Sequence, residues 1–300
     1  MKKNLSNKTP IKIAVLLATY NGSKYLISQL DSILSQKNIA LDIFISDDNS
    51  SDDTPKIISQ FLKAHKNIHE VKQLRNKGSA NNFYNLIDQV NNDKYSYFAF
   101  SDQDDIWPEY KLSRAVNKLT KDDASGYSSD FIYFDDTQNF SYYKKSYKQK
   151  KYDYLFETPG PGCTFVIKKD LFKSVQSFVK NKQDLFQYHD WFIYAYARSQ
   201  EFQWTIDESP NLFYRQHNDN VVGVNSGIKG YQRRVNRILL GKWFNEINHL
   251  TKILHIDKLS TLTKSSLFWF FCRNFWHTRR RLTHAFLMIP FFFLIGIQKL

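Results

Sequence analysis

The chain has 300 residues, enough for one large domain or a domain with an appendage. Its 42% hydrophobic and 16% aromatic content supplies a core and excludes disorder, while two cysteines, Cys163 and Cys272, exclude a disulfide framework and fit a reducing compartment. The net charge of +13 is uneven: residues 229–300 hold 13 lysines and arginines against two acids, +11 of the total, which marks a nearly neutral body with a basic, aromatic tail suited to surface docking.

Residues 1–10 form a polar, basic segment without the apolar run of a signal peptide. Residues 11–18 (IKIAVLLA) read as a strand buried on both faces, because the apolar run is continuous rather than alternating. Thr19-Tyr20-Asn21-Gly22 is a turn, and Leu26, Ile27, Leu30, Ile33 and Leu34 make a helical stripe over 25–36. A second strand over 41–46 ends in Asp47-Asp48-Asn49-Ser50, and Pro55 starts the next helix. A strand over 70–74, a helix over 80–90 and a strand over 95–100 follow. This alternation predicts a mostly parallel α/β sheet with helices on both faces and a ligand crevice at the carboxyl ends of its strands. Beyond it the sequence predicts a helix over 108–119, strands over 131–134 and 163–168, a basic, tyrosine-rich loop over 142–151, helices over 171–179 and 190–199, and short strands over 204–206 and 212–214.

The most informative stretch is the strand Tyr95-Ser96-Tyr97-Phe98-Ala99-Phe100 running into Ser101-Asp102-Gln103-Asp104-Asp105. Carboxylates crowded at the mouth of a buried strand repel one another and lose hydration, so they require a cation. Asp102 and Asp104, two apart on a turn, can aim at one hard divalent metal whose remaining ligands are waters and substrate phosphates. A solvated polar turn is the plain alternative, and the second acidic strand end at Asp47-Asp48 weighs against it.

Ala18-Thr19-Tyr20-Asn21, Asp47-Asp48-Asn49-Ser50, Arg75-Asn76-Lys77-Gly78, Asp102-Gln103-Asp104-Asp105, His189-Asp190-Trp191 and Tyr214-Arg215-Gln216-His217, in this order, resemble the family 2 glycosyltransferases of the GT-A fold, over residues 11–223. The His-Asp-Trp and Tyr-Arg-Gln-His forms look most like rhamnosyltransferase-like members that build bacterial surface polysaccharides. The resemblance implies an inverting, metal-dependent transfer from a UDP- or dTDP-linked sugar, dTDP-rhamnose among them, to a saccharide or lipid-linked saccharide.

It also implies roles. Thr19, Tyr20 and Asn21 wall the nucleotide site, with Tyr20 stacking on the base, or form an ordinary strand-to-helix turn. Asp47 or Asp48 accepts the imide N–H of uracil or thymine, or one of the pair caps the next helix. Arg75 approaches ribose or diphosphate, or is a surface arginine, and Gly78 permits close backbone approach. Asp104 bonds Mg²⁺ or Mn²⁺ directly, Asp102 acts through ribose or water, and His217 either ligates, contacts phosphate or is structural; a nitrogen ligand favours Mn²⁺ slightly. Gly160 and Gly162 lie near sugar and acceptor, or form a rigid turn, and Cys163 is a small buried hydrophobe. Arg215, His189 and Trp191 fall on the sugar and acceptor side, although His189 stands where the family often has Glu. Asp190, kept ionised at a helix N-terminus, is the general base that takes the acceptor's proton, or else a plain N-terminal helix acid.

These readings divide the chain into 1–10, a catalytic domain over 11–227 and a helical tail over 228–300. Helical spacing recurs at Tyr231, Val235, Ile238, Leu239, Trp243 and Ile247, with Arg233, Arg234, Arg237 and Lys242 between them. Residues 285–297 are apolar but interrupted by Pro290, short of the roughly 20 residues that span a bilayer. Aromatics beside arginines suit an interfacial helix on an anionic leaflet, which predicts a cytoplasmic protein held on the inner face of the cell membrane. The alternatives are a helix pair packed on the catalytic domain or on a second copy, making a homodimer. The bulky aliphatic run weighs against a nucleic-acid partner. Rival functions are a nucleotidyltransferase, which wants more glycines than Gly22 after the first strand, and a non-catalytic sugar-nucleotide-binding scaffold.

Overall fold

The computed structural model describes residues 11–297 apart from 76, 138, 181, 183, 218–235, 237–239 and 257–262. The expectations for residues 1–10 and for Tyr231, Arg233, Arg234, Val235, Arg237, Ile238 and Leu239 lie outside the described residues.

Strands β1 (Lys12–Thr19), β2 (Ala40–Asp47), β3 (Ile68–Glu70) and β4 (Tyr97–Ser101) form a parallel block in the order β3-β2-β1-β4. Three more strands extend it: β8 (Val166–Lys168), antiparallel to both neighbours, then β5 (Gly126–Ser129) and β9 (Trp204–Asp207), parallel to each other. A second sheet joins β6 (Phe131–Phe134) between β7 (Phe140–Tyr143), antiparallel to it, and β10 (Phe213–Arg215), parallel to it. Strand β7 takes the start of the segment predicted as loop.

Strand β1 has no polar face. Ile13, Val15 and Leu17 enter the core shared with α1 (Leu26–Leu34), α2 (Thr54–Ala64) and α4 (Lys111–Lys121). Ala14, Leu16 and Ala18 enter the one shared with α3 (Ser79–Gln89), α5 (Lys169–Val179) and α6 (His189–Ser199). Covering both faces is what a continuous apolar run demands. On the second face Phe98 of β4 stacks on Phe172 of α5 with centroids 3.5 Å apart. Aromatic side chains bury about 150–250 Å² each, worth about 4–6 kcal/mol apiece at about 25 cal/mol/Å².

Among the described residues, three helices follow the second sheet: α7 (Lys242–Ile253), α8 (Lys264–Thr278) and α9 (Leu282–Ile297). Their Trp243, Ile247, Leu250, Leu254, Leu267, Phe271 and Met288 join the same core as α3, α5 and α6. The inner faces of these helices are therefore packed on the body of the protein. Among the described residues, no helix is long and apolar enough to cross a membrane.

Candidate active site

The parallel register brings Thr19 opposite Asp47 and Leu17 opposite Ser101, so the turns after β1, β2 and β4 open side by side. Gln103 stitches two of them. Its Oε1 accepts from the Thr19 hydroxyl (2.6 Å) and the Tyr20 amide (2.8 Å), and its Nε2 donates to the Tyr20 carbonyl (3.1 Å). Gly22 has to lack a side chain, because a Cβ there would stand 2.3 Å from Gln103 Oε1. Asn21, at φ 47°, donates its amide to Ser50 and accepts the Ser51 amide on its side chain, while the Tyr20 ring is left 53% exposed. Buried Asn82 donates to the carbonyls of both Thr19 and Ser46, pinning β1 to β2 at the crevice floor.

Asp47 accepts from the amide and hydroxyl of Ser50 and closes its own turn. Asp48, nearly buried, accepts from the Gly78 amide at 2.7 Å, at a glycine whose φ of 122° disfavours side chains. The carboxylate that serves α2 is Asp52, which accepts from Ser23 and Thr54; burial works against its ionisation, but these hydrogen bonds hold it at about 2. Arg75 is not brought to the crevice. Its guanidinium donates to Asp88 at 3.0 Å and to the carbonyls of Val179 and Lys182, joining α3 to the end of α5.

The acidic turn after β4 is completed by a distant segment. Ile106 and Phe213 exchange two backbone hydrogen bonds of 3.0 Å, which delivers the end of β10 to Asp104 and Asp105. Arg215 donates its amide to Asp105 (3.1 Å) and its Nε to the Asp104 carbonyl (2.9 Å), and its guanidinium lies over the rings of Tyr25 and Phe134. His217 Nε2 lies 2.7 Å from Asp104 Oδ2, and the Tyr25 ring lies tilted against the imidazole with centroids 5.1 Å apart. Arg215 thus sits with the acidic turn.

Burial pushes Asp102 up to about 7, and the charges of Asp104 and Asp190 push the same way. Burial also raises Asp104, against the opposing influence of His217, and raises Asp105 further, with Asp104 and Asp102 adding repulsion. Asp104 Oδ2 and His217 Nε2 are brought together, an oxygen and a nitrogen donor of the kind a divalent cation takes, and a cation there would relieve this repulsion. Asp102, Asp105 and Cys163 also present ligand atoms within 4.8 Å of one another. Burial and the two aspartates raise the Cys163 thiol well above its ordinary value, so it stays protonated and is a poor partner for a hard cation. Behind this cluster buried Lys111 donates to the Cys163 carbonyl at 2.9 Å, and burial lowers its ammonium to about 8.

Opposite the acidic turn stands the start of α6. Asp190 accepts the Trp191 amide at 2.7 Å, yet burial outweighs the helix terminus and raises its carboxyl to about 6. The loop through Gly160 and Gly162 runs between the two. A Cβ on Gly162 would stand 2.5 Å from His189 Nε2 and 3.3 Å from the Asp190 Cβ, and one on Gly160 would meet Thr164 Oγ1 at 2.9 Å. His189 is turned into the core, stacked on Phe83 at 3.8 Å and kept neutral by burial, which lowers it to about 3. Trp191 is buried too and donates its indole N–H to the Tyr154 carbonyl (2.8 Å). Sequence reasoning assigned no role to Gln103, Asn82, Lys111 or Tyr25. Only Gln103 carries a local signal, its place between two acidic-turn aspartates.

The description "Glycosyl transferase family 2" matches residues 14–194, from β1 into α6. The dTDP-rhamnosyl transferase RfbG of Shigella flexneri is 39% identical over 242 residues, 79% of this chain and 83% of that one. Among solved structures, TarS of S. aureus in complex with UDP superposes with a TM-score of 0.58 at 14% identity, over 88% of this chain and 72% of that one. The mannosyltransferase PcManGT of Pyrobaculum calidifontis, in complex with GDP-Man and Mn²⁺, gives 0.50 at 13% identity over 96% and 84%. At such identities the two structures speak for the shared GT-A fold. Family and fold agree, and the chain belongs to glycosyl transferase family 2, as a nucleotide-sugar glycosyltransferase of the rhamnosyltransferase-like kind.

Proposed function

We propose that the chain moves a sugar from a dTDP- or UDP-linked donor, dTDP-rhamnose foremost, to a saccharide or lipid-linked saccharide in bacterial surface polysaccharide synthesis, inverting the anomeric centre. One observation carries the mechanism: the Gly162–Cys163 loop touches both Asp190 and Asp102, and Asp190 is near enough for its charge to raise Asp102. The choice of dTDP-rhamnose is supported by the 39% identity to a dTDP-rhamnosyl transferase.

Tyr20 stacks on the base and the amides of the 19–21 turn approach the nucleotide. Asp47 or Asp48 accepts the imide N–H, and Gly78 lets the backbone come close. Asp104 and His217, with Asp102 through ribose or water, would hold Mg²⁺ or Mn²⁺, which when bound would supply charge neutralisation to the diphosphate. Arg215 orients the acidic turn through its two hydrogen bonds. Asp190, at about 6, is mostly ionised at neutral pH yet retains proton affinity, as a general base requires. It takes the proton of the acceptor hydroxyl while that oxygen attacks the anomeric carbon from the side opposite the leaving group. Gly160 and Gly162 let the loop pack closely on Thr164, His189 and Asp190, on the side where sugar and acceptor would bind.

The outer face of the α8–α9 hairpin would rest on an anionic membrane leaflet. Residues 264–297 contain five lysines and arginines and no acid. Trp269, Trp276, Leu282, Phe286, Leu287 and Ile289 are exposed there, with Trp276 against Phe286 at 6.1 Å and exposed Arg273 and Arg281 alongside. Aromatic and cationic side chains on one face suit the lipid interface, where lipid-linked acceptors lie.

Calorimetric titration of dTDP, UDP, GDP and CMP with Mn²⁺ and again with EDTA, followed by turnover of dTDP-rhamnose, tests the catalytic reading. Metal-dependent binding of dTDP or UDP alone supports it. A folded protein that binds no nucleotide in a metal-dependent way overturns it.

A further inference from the structure

The turn between α8 and α9 is wired into the acceptor side of the site. Arg280 there is almost wholly buried, its side chain 2% exposed. Its amide donates to Glu157 Oε1 and its Nη2 to the Thr158 carbonyl, both at 2.6 Å. Its Nε lies 3.4 Å from the carboxylates of both Asp153 and Glu157. Asp153, fully buried, reaches α6 as well, accepting from Arg198 at 3.1 Å and from the Tyr194 hydroxyl at 2.9 Å. The Trp191 indole fixes Tyr154 to the first turn of that helix, and the Tyr152 amide donates to the His277 carbonyl of α8. Four residues past Thr158 the chain arrives at Gly162, packed on Asp190, and then at Cys163 beside Asp102 and Asp105.

We propose that Arg280 is a positioning residue for sugar transfer: bound to Asp153, Glu157 and Thr158, it fixes the 157–164 loop between Asp190 and the acidic turn. The inference rests on the reading of Asp190 as the base. It makes the hairpin part of the catalytic machinery, and it distinguishes Arg280 from the outward Arg273 and Arg281. Arg280 is the guanidinium that the two buried carboxylates share, Asp153 also meeting Arg198 and Glu157 also meeting Arg279, so its loss unties the two carboxylates from each other and leaves each with one cation fewer. A loop displaced by even about 1 Å beside a base costs up to about 100-fold in rate, while the nucleotide keeps all of its own interactions.

Arg280→Met in the full chain is the test, read by hydrogen exchange, nucleotide calorimetry and turnover. Exchange at the Thr164 and Phe165 amides, which close the turn onto Pro161 and Gly162, is expected to rise about tenfold or more while β1 and β4 amides stay protected. The turnover number is expected to fall about tenfold or more with nucleotide affinity within about twofold of the parent. Unchanged exchange and turnover would overturn the proposal, as would uniform loosening with nucleotide binding abolished in step. Should the single variant fail to fold, Asp153→Asn/Glu157→Gln/Arg280→Met removes the charges together. It is expected to fold with the same local exchange and slow turnover, and parental turnover in it would refute the idea. Absence of turnover in the parent would instead count against the transferase reading, leaving the exchange result to decide on the clamp.

Discussion

His217 Nε2 lies 2.7 Å from Asp104 Oδ2, although 113 positions separate the two residues. The contact depends on the Ile106–Phe213 bridge, which brings the end of β10 to the acidic turn. If both groups serve one cation, His217→Ala and Asp104→Ala are expected to weaken Mn²⁺-dependent nucleotide binding about tenfold or more, as removal of ligand and support residues does. Titration of nucleotide with Mn²⁺ and with EDTA checks this; equal affinities in the two media for parent and variants would remove the cation from the account.

Asp190→Asn keeps the shape of the α6 start and removes the proton acceptor. Turnover is expected to drop about 10²–10⁴-fold with nucleotide affinity intact. In the parent enzyme kcat/KM is expected to rise with pH through about 6, where half of Asp190 is ionised, and then level off. A flat profile between about pH 5 and 8 would deny Asp190 the role.

Asp102 carries the opposite sign for stability. Burial first, and Asp104 next, raise it to about 7, so the folded state binds a proton that the unfolded chain releases near pH 3.9. The metal-free protein therefore loses stability as pH climbs from about 4 to about 7, and Asp102→Asn is spared this loss. Melting temperatures in EDTA are expected to diverge in favour of the variant on going from pH 5 to pH 8. A constant difference would mean that Asp102 is charged throughout.

Gln103 makes three hydrogen bonds to the 19–20 turn, two of them accepted on one oxygen. Gln103→Ala leaves those groups unpartnered, at about 1–3 kcal/mol, and is expected to raise the donor KM about tenfold or more. Gly22→Ala, which pushes a methyl into the same amide, is expected to act alike. Steady-state kinetics against donor concentration would expose the alternative, a loss confined to kcat.

Trp276→Glu/Phe286→Glu places two charges on the exposed face of the hairpin. Co-sedimentation with vesicles containing about 30% anionic lipid is expected to fall about tenfold or more, with activity on a soluble acceptor kept. Undiminished sedimentation, or none in the parent protein, would send the search to a protein partner.

The parallel half was legible because its strands are buried on both faces and so read as unbroken apolar runs, as β1 does. Strand β3 was placed too late. It spans Ile68–Glu70, and after the Val71 amide bonds to Ile45 the chain leaves the sheet, where Leu74 is held by the Asn85 side chain instead of a neighbouring strand. Strand β5, Gly-Tyr-Ser-Ser, reads locally as a turn and becomes a strand only because β8 and β9 flank it and Trp204 lies over Gly126. In the crevice, residue types indicated the acidic turn, but direction was hidden. No local pattern says that Arg75 turns to Asp88 or that His189 stacks on Phe83. Nothing local to Lys111 signals that it is buried, and only the fold encloses it.

The antiparallel β8 lies between β4 and β5 in space but follows both in the chain. During synthesis the β1–β4 block, with its two acidic turns, can assemble from neighbouring segments as they emerge, as N-terminal units do in large domains. The distal strands must wait until residue 168 is made, and His217 arrives later still. The ribosome thus releases a nucleotide-facing half before the half that supplies the opposite wall. A nascent chain stopped near residue 120 would display that half alone, with Asp104 and Asp105 still lacking Arg215 and His217.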